Sequence, residues 1–188
     1  VGRVSEERYA VGSPPAEGGP ANVAGSTAYQ IEQVTDANLD HYRAVRLAML
    51  LDAPRAFGST YAIAARLTDE EWLRRVANGP TWLAWDTAAA RPVGSIALYH
   101  HEGCSEGEVA LVGMWVAAPA RGSGVADDLV ETVIAAARAA GHVRVSLDVA
   151  QENVGAQRLY ARRGFHPTGR MWVNEAVDGG VDELEYAI

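Results

Sequence analysis

The sequence predicts a mixed α/β domain built on a mostly antiparallel sheet of about seven strands, and three observations lead there. Seven short segments with alternating or continuous apolar character recur between Tyr29 and Ile188. Several follow one another through turn-sized connections, which favours antiparallel neighbours. One strand–helix–strand unit, from Val109 to Val149, is long enough to return its second strand parallel to the first.

Taken in order, Tyr29–Val34 (YQIEQV) alternates apolar and polar residues and reads as the first strand. Thr35 or Asp36 then caps a helix through about Leu51, with Leu39, Tyr42, Val45, Leu47, Met49 and Leu50 largely on one face. Pro54 and Gly58 break the next stretch into a loop that carries Phe57. Asp69-Glu70-Glu71 supplies an acidic first turn to a helix that runs to about Ala77 and stops at Asn78-Gly79-Pro80. Thr81–Trp85 and Val93–His101 read as strands across a turn at Thr87–Pro92, and Gly103–Gly107 turns into a strand that ends at Val116. A long helix from about Ser123 to Ala140 carries an apolar stripe of Val125, Leu129, Val130, Val133, Ile134 and Ala137. Val143–Val149 alternates as a strand. Asn153 caps a helix through Arg163, with Gly164 as its left-handed stop. Phe165–Val173 and Val181–Ile188 pair as the last strands around a turn at Asp178-Gly179-Gly180.

Residues 1–28, rich in Pro, Gly, Ala and Ser, read as a disordered or loosely docked tail, and residues 29–188 as a single domain. Hydrophobic content of 48% and charged content of 21% suit a globular chain with a full core. No apolar run is long enough to span a bilayer, and the first residues lack a basic-then-apolar leader, so the cytoplasm is the expected location. Cys104 is the single cysteine, which excludes an internal disulfide and a Cys-rich zinc site. No metal is expected. A net charge of −8 argues against nucleic acid as a partner and mildly favours a cationic substrate such as an amine; no membrane partner is expected either. The chain has no lysine, which removes Schiff-base chemistry and the Walker-type phosphate lysine.

The most informative stretch is VALVGMWVAAPARGSGVADD, where the strand ending at Val116 gives way to the long helix through Arg121-Gly122-Ser123-Gly124-Val125-Ala126. Glycines at such a junction let backbone amides approach a ligand, and the helix N-terminus adds partial positive charge, so a phosphate or pyrophosphate is the expected guest. A tight turn with no ligand is the plain alternative. The pattern Arg121-x-x-Gly124-x-Ala126 resembles the pyrophosphate loop (Gln/Arg-x-x-Gly-x-Gly/Ala) of the GNAT superfamily of acetyl-CoA-dependent N-acetyltransferases. Downstream, Asn153-x-x-Ala156-x-x-Leu159-Tyr160-x-x-x-Gly164-Phe165 resembles a second signature of the same family, in the right order and at a suitable distance. The resemblance extends over roughly Tyr29 to Ile188 in element order and is close from Val109 to Phe165.

The resemblance implies helices on both faces of the sheet and a splay at the motif-bearing strand, with acetyl-CoA in the gap. It implies that the backbone of Met114, Trp115 and Val116 meets the pantetheine arm, and that the amides of Arg121, Gly122, Ser123, Gly124, Val125 and Ala126 meet the pyrophosphate. Asn153 and Ala156 would flank the arm, Arg162 would approach the adenine end or its phosphate, and Tyr160 would return a proton to the departing thiol. The segment from Asp52 to Tyr61, with Phe57 and Tyr61, would wall the acceptor pocket. Some members carry a glutamate where this chain has Ala110, which leaves the base open: Glu108, two residues earlier on the same strand face, and His100 are the candidates, beside direct attack with proton loss to water. Each residue also has a structural reading: Asn153 as a cap, Tyr160 as a core aromatic, Glu108 as a strand-start residue. Cys104 lies in a polar turn and carries no mark of a nucleophile.

The activity implied is acetyl transfer to a primary amine of a small molecule, peptide or protein by direct attack in a ternary complex, with a homodimer as a possible assembly. A CoA-binding regulatory module with little turnover, or an acyltransferase for longer acyl-CoA, stand as alternatives. A dinucleotide-binding module fits less well, because the glycine turn follows several antiparallel strands instead of opening a βαβ repeat.

Overall fold

The computed structural model describes residues 28–188 apart from Ala176 and Asp178, so the segment 1–28 read as a tail lies, but for Ala28, outside the described residues. Seven strands form one sheet in the order β1-β2-β3-β4-β5-β7-β6: β1 Tyr29–Gln33, β2 Thr81–Asp86, β3 Arg91–Tyr99, β4 Glu108–Val116, β5 Arg144–Ala150, β6 His166–Val173 and β7 Asp182–Ala187. Every pairing is antiparallel except β4 with β5. That parallel pair is joined by the crossover helix α4, Val125–Ala139.

Helices α1 (Leu39–Asp52), α2 (Tyr61–Ala64) and α3 (Asp69–Ala77) lie between β1 and β2 in sequence, and α5 (Val154–Arg162) lies between β5 and β6. α3 starts where the acidic turn predicts because Thr68 and Glu71 cap it reciprocally: the Glu71 amide donates to Thr68 Oγ1 at 3.3 Å and the Thr68 amide to Glu71 Oε2 at 2.6 Å. α2 is an addition to the predicted elements. Four residues are too few to show a helical period, and Thr60 Oγ1 fixes the turn by accepting from the Ile63 amide at 3.3 Å. The chain enters α1 through a 3₁₀ turn at Asp36–Asn38 instead of directly from a Thr35 or Asp36 cap.

Both faces of the sheet are covered. One core joins β2–β5 and β7 to α4 and α5 through Leu129, Val130, Val133, Leu147, Leu159 and Phe165, with Tyr29 and Ile31 of β1 packed against it; the other joins α1 and α3 to β2 through Tyr42, Met49, Leu50, Trp72 and Leu83. The strand alternation that divides these cores breaks within β4. Val109 and Leu111 face α4, yet so do Met114 and Val116, a change of parity that requires one extra residue. The register records it, with Ser95 opposite Trp115 but Ala97 opposite Val112. Gly113 occupies the bulge at φ 62°, a left-handed conformation that an L side chain rarely adopts.

The bulge sets the site. β4 pairs with β5 only through Glu108, Val109 and Ala110 opposite Arg144, Val145 and Ser146. Beyond Ala110 the two strands part, and the backbone edges of Leu111–Val116 and Leu147–Ala150 face a gap.

A cleft between parted strands

The gap is lined by Leu111, Val112, Gly113 and Met114 of β4, by Asp148, Val149 and Ala150 of β5, by Asn153, Ala156, Leu159 and Tyr160 at α5, by Glu183 of β7, and by Ala56 and Phe57 of the loop after α1. The loop is fastened across it. Arg55 donates to the Gly180 carbonyl at 3.2 Å and approaches Glu152 at 3.9 Å, while the Arg46 guanidinium lies 5.3 Å from the Phe57 ring centre. Phe57 therefore stands in the cleft wall, whereas Tyr61 is exposed on α2 and does not line it.

The turn after β4 opens on the parted end of the strands. Gly122 and Gly124 adopt φ values of 79° and 94°, and a Cβ on either would meet nothing within 4 Å. The amides of Gly122, Ser123, Gly124, Val125 and Ala126 donate to no group among the described residues. Five consecutive free N–H groups at a helix start form a concave donor surface for an anion. Ser123 Oγ is engaged with the Ala120 carbonyl at 2.7 Å, so the serine contributes its amide but not its hydroxyl.

Arg121 departs from the sequence expectation. Its own amide donates to the Ala118 carbonyl at 3.3 Å, its Nε donates to the Val116 carbonyl at 2.9 Å, and its Nη2 pairs with Asp52 at the end of α1. Trp115 Nε1 donates to the same Asp52 Oδ2 at 2.8 Å. The Trp115 indole, first, and the Arg121 guanidinium hold the Asp52 carboxyl below the usual carboxylate range against the opposing effect of burial. This network braces the turn against α1. Arg162, expected near the adenine end, donates Nε and Nη2 to the two oxygens of Asp127, both at 2.7 Å, and Arg163 reaches the same carboxylate at 2.8 Å.

Asn153 both caps α5, its Oδ1 accepting from the Ala156 amide at 3.1 Å, and lines the cleft with Ala156. Tyr160 is 5% exposed, with its ring 5.8 Å from that of Phe165 in an edge-on contact. Nothing among the described residues hydrogen-bonds its hydroxyl, and burial pushes that hydroxyl far above its ordinary pKa. The phenol therefore stays neutral and keeps its proton.

Neither base candidate lines the cleft. Glu108 is held at the closed end of the β4–β5 pair. It accepts from Arg144 Nε at 3.1 Å and from the Ser105 amide at 3.2 Å. Burial pushes the Glu108 carboxyl up, but hydrogen bonds from Ser146, Ser105 and Arg144 outweigh it and leave the pKa lowered. His100 is exposed just past the end of β3. Burial raises the Cys104 thiol, which fits an unreactive side chain. No group of three or more His, Cys, Asp or Glu among the described residues could hold a metal ion.

Two acidic residues that the sequence reading did not single out do line the cleft, Asp148 and Glu183. The alternation of VRVSLDV puts Asp148 on the face opposite the α4 core. What the sequence does not reveal is that this face borders a gap rather than bulk water.

A model of the acetyltransferase (GNAT) family matches residues 46–165, which include the whole cleft apart from Glu183. The chain belongs to this family. GNAT proteins use acetyl-CoA, and the fold places this chain among many solved members. It superposes on a GNAT N-acetyltransferase from Kribbella flavida with a TM-score of 0.66 at 22% identity, over 86% of this chain and 97% of that one. It superposes on yncA from Salmonella typhimurium, solved with its cofactor acetyl-CoA, with a TM-score of 0.66 at 16% identity, over 85% and 92% of the two chains. For the ribosomal-protein-alanine N-acetyltransferase of Brucella melitensis the TM-score is 0.63 at 20% identity, over 84% and 98%. At such identities the likeness is one of fold. No curated protein sequence matches the chain. As a GNAT member the chain is an acyltransferase, and no helix among its described residues is long and apolar enough to cross a membrane.

Proposed function

We propose that this GNAT protein transfers the acetyl group of acetyl-CoA to a primary amine of a small molecule, peptide or protein by direct attack in a ternary complex. The observation that carries the reading is the row of free amides from Gly122 to Ala126 at the end of a strand whose parted edge borders a cleft lined by Tyr160. The donor set fits the cofactor: the amides suit a diphosphate, and the exposed edges of two parted strands suit an amide-bearing arm.

In this reading, Gly122–Ala126 hold the diphosphate, and Met114 with the parted β4 edge, Asn153 and Ala156 border the arm. Acetyl-CoA supplies the activated thioester. Tyr160 contributes a hydrogen bond and a proton where the thiol leaves, and its raised pKa keeps it in the donating form at any working pH. The bulged strand keeps N–H groups available to a carbonyl oxygen in the cleft. Trp115 and Arg121 act from behind, bracing the turn through Asp52. The cytoplasm is the proposed compartment, supported by the single free cysteine.

Calorimetric titration with acetyl-CoA, followed by thiol release in the presence of a panel of amines, tests the proposal. Binding with amine-dependent release is expected. Binding with no amine-dependent release would favour a regulatory module, and tighter use of longer acyl-CoA would favour the broader acyltransferase. Failure to bind any CoA would end the reading.

A further inference from the structure

The acid residues on the β5–β7 face are not equivalent. Ser146, Asp148 and Ala150 of β5 stand opposite Ala187, Glu185 and Glu183 of β7. Glu185 and Glu108 share Arg144, whose Nη2 is 2.8 Å from one and Nε 3.1 Å from the other, and Arg170 approaches Glu185 at 3.5 Å. Glu183 accepts from Asn174 Nδ2 at 2.9 Å. Asp148 alone of the four has no hydrogen bond or ion pair among the described residues, and it lines the same cleft as Tyr160. Like charges directly opposite or diagonal across a strand pair destabilise a sheet. A carboxylate left unpaired between two others, and open to a cleft, is the arrangement a cationic guest relieves.

Resting on the amine-acetylating function proposed above, we infer that Asp148, with Glu183 beside it, binds the acceptor as an alkylammonium ion and accepts its proton. The acceptor class is then a primary alkylamine that carries positive charge at neutral pH. One ammonium proton passes to the Asp148 carboxylate, giving a neutral amine and a carboxylic acid that later yields its proton to water. Nitrogen bonds the acyl carbon and the carbon–sulfur bond breaks. The second nitrogen proton is lost to water as the amide forms, and Tyr160, having protonated sulfur, regains a proton from water, so one proton is released per acetylation.

The surroundings tune Asp148 for this exchange. Asp148 is exposed to the cleft, and crowding by its walls, then the charges of Glu183 and Glu185, push its carboxyl up to about 7. The other ionisable groups around the cleft are Glu108 and Cys104 at the closed end, Arg144 on β5, Arg170 on β6, Arg46 and Arg55 on the α1 side, and Tyr160. Arg144 and Arg170 are paired with Glu108 and Glu185, and Arg55 approaches Glu152.

Asp148→Asn and Glu183→Gln, with 1,4-diaminobutane, phenethylamine and aniline as probes, test the inference. In the wild type, kcat/KM for the two alkylamines should rise with pH through an ionisation near 7, with aniline a poor acceptor. Asp148→Asn should lower kcat/KM at pH 8 by about 100-fold and abolish that ionisation, at the size usual for a lost proton acceptor, while acetyl-CoA affinity stays the same or tightens. Glu183→Gln should move the ionisation to lower pH, a shift that a purely structural residue would not produce. Independently of turnover, the Asp148 carboxyl carbon should titrate near neutral pH by NMR, and added 1,4-diaminobutane should lower that pKa. An Asp148→Asn protein with wild-type rates and pH profile, or a carboxyl signal indifferent to the diamine, overturns the inference. If acetyl-CoA itself fails to bind the wild type, the fault lies in the broader function and not in Asp148.

Discussion

Tyr160→Phe isolates one oxygen atom. The ring is 5% exposed and packs edge-on to Phe165 at 5.8 Å, and both features survive the substitution. No group among the described residues bonds the hydroxyl, so its removal orphans no partner there, and stability should change by less than about 1 kcal/mol. Catalysis should respond differently. A thiolate leaving group has a pKa of roughly 8.5, so it departs more readily when a proton is delivered to it. Loss of a positioned proton donor typically lowers the rate about 100-fold, or ~2.7 kcal/mol of barrier. The assay is single-turnover acyl transfer at saturating amine, which removes product release from the measured rate, paired with calorimetric acetyl-CoA binding. The expected pattern is a rate down by two decades with Kd within twofold of wild type. Because burial raises the phenol far above neutrality, the wild-type profile should show no loss of activity from Tyr160 ionisation below pH 9. An unchanged single-turnover rate would show that the hydroxyl has no part in the chemistry. A rate loss fully matched by lost affinity would show that it serves binding alone.

Two other substitutions probe the frame around the cleft. Gly124→Asp should leave the fold intact, since its Cβ meets nothing within 4 Å, but it places a carboxylate among the free amides and strains φ 94° by about 1–2 kcal/mol; acetyl-CoA affinity should fall at least 100-fold, measured by calorimetry, with Gly124→Asn retaining far more. Arg144→Ala leaves the buried Glu108 and Glu185 carboxylates short of a cation and should cost about 2–3 kcal/mol in urea unfolding at pH 7. Glu108 has a lowered pKa in the folded protein, so the stability it contributes is present above its unfolded pKa and lost as pH falls through the folded one. The penalty of Arg144→Ala should therefore shrink towards pH 3, and an equal penalty at both pH values would contradict the pairing.

Much of the fold is legible because local signals agree with the packing. α3 was bounded by its acidic first turn and by Asn78-Gly79-Pro80, and α5 by Asn153 and Gly164; both helices form where those signals place them. The stripe on α4 is the buried one. α2 is not legible because a single turn shows no period. The bulge at Gly113 is legible in hindsight as a glycine within an apolar strand, but the parity change it causes depends on which residues meet α4, a tertiary fact. Site residues divide along the same line. Backbone donors follow from the glycine spacing, so the turn could be found in the sequence. Side-chain partners do not follow: Arg121 and Arg162 are claimed by Asp52 and Asp127, each more than thirty residues away in the chain. Asp148 carries no signal in the sequence, because an acid on an alternating strand ordinarily faces water, and only the parting of β4 from β5 turns that face into a cleft wall.

The most direct measurement is amide shift mapping by NMR of the whole chain as acetyl-CoA is added. The largest changes should fall on the amides of Gly122, Ser123, Gly124, Val125 and Ala126, with a second group along Leu111–Met114 and around Asn153. If those five amides stay still while saturable shifts gather elsewhere, the diphosphate is not held by this turn and the account of the site is wrong.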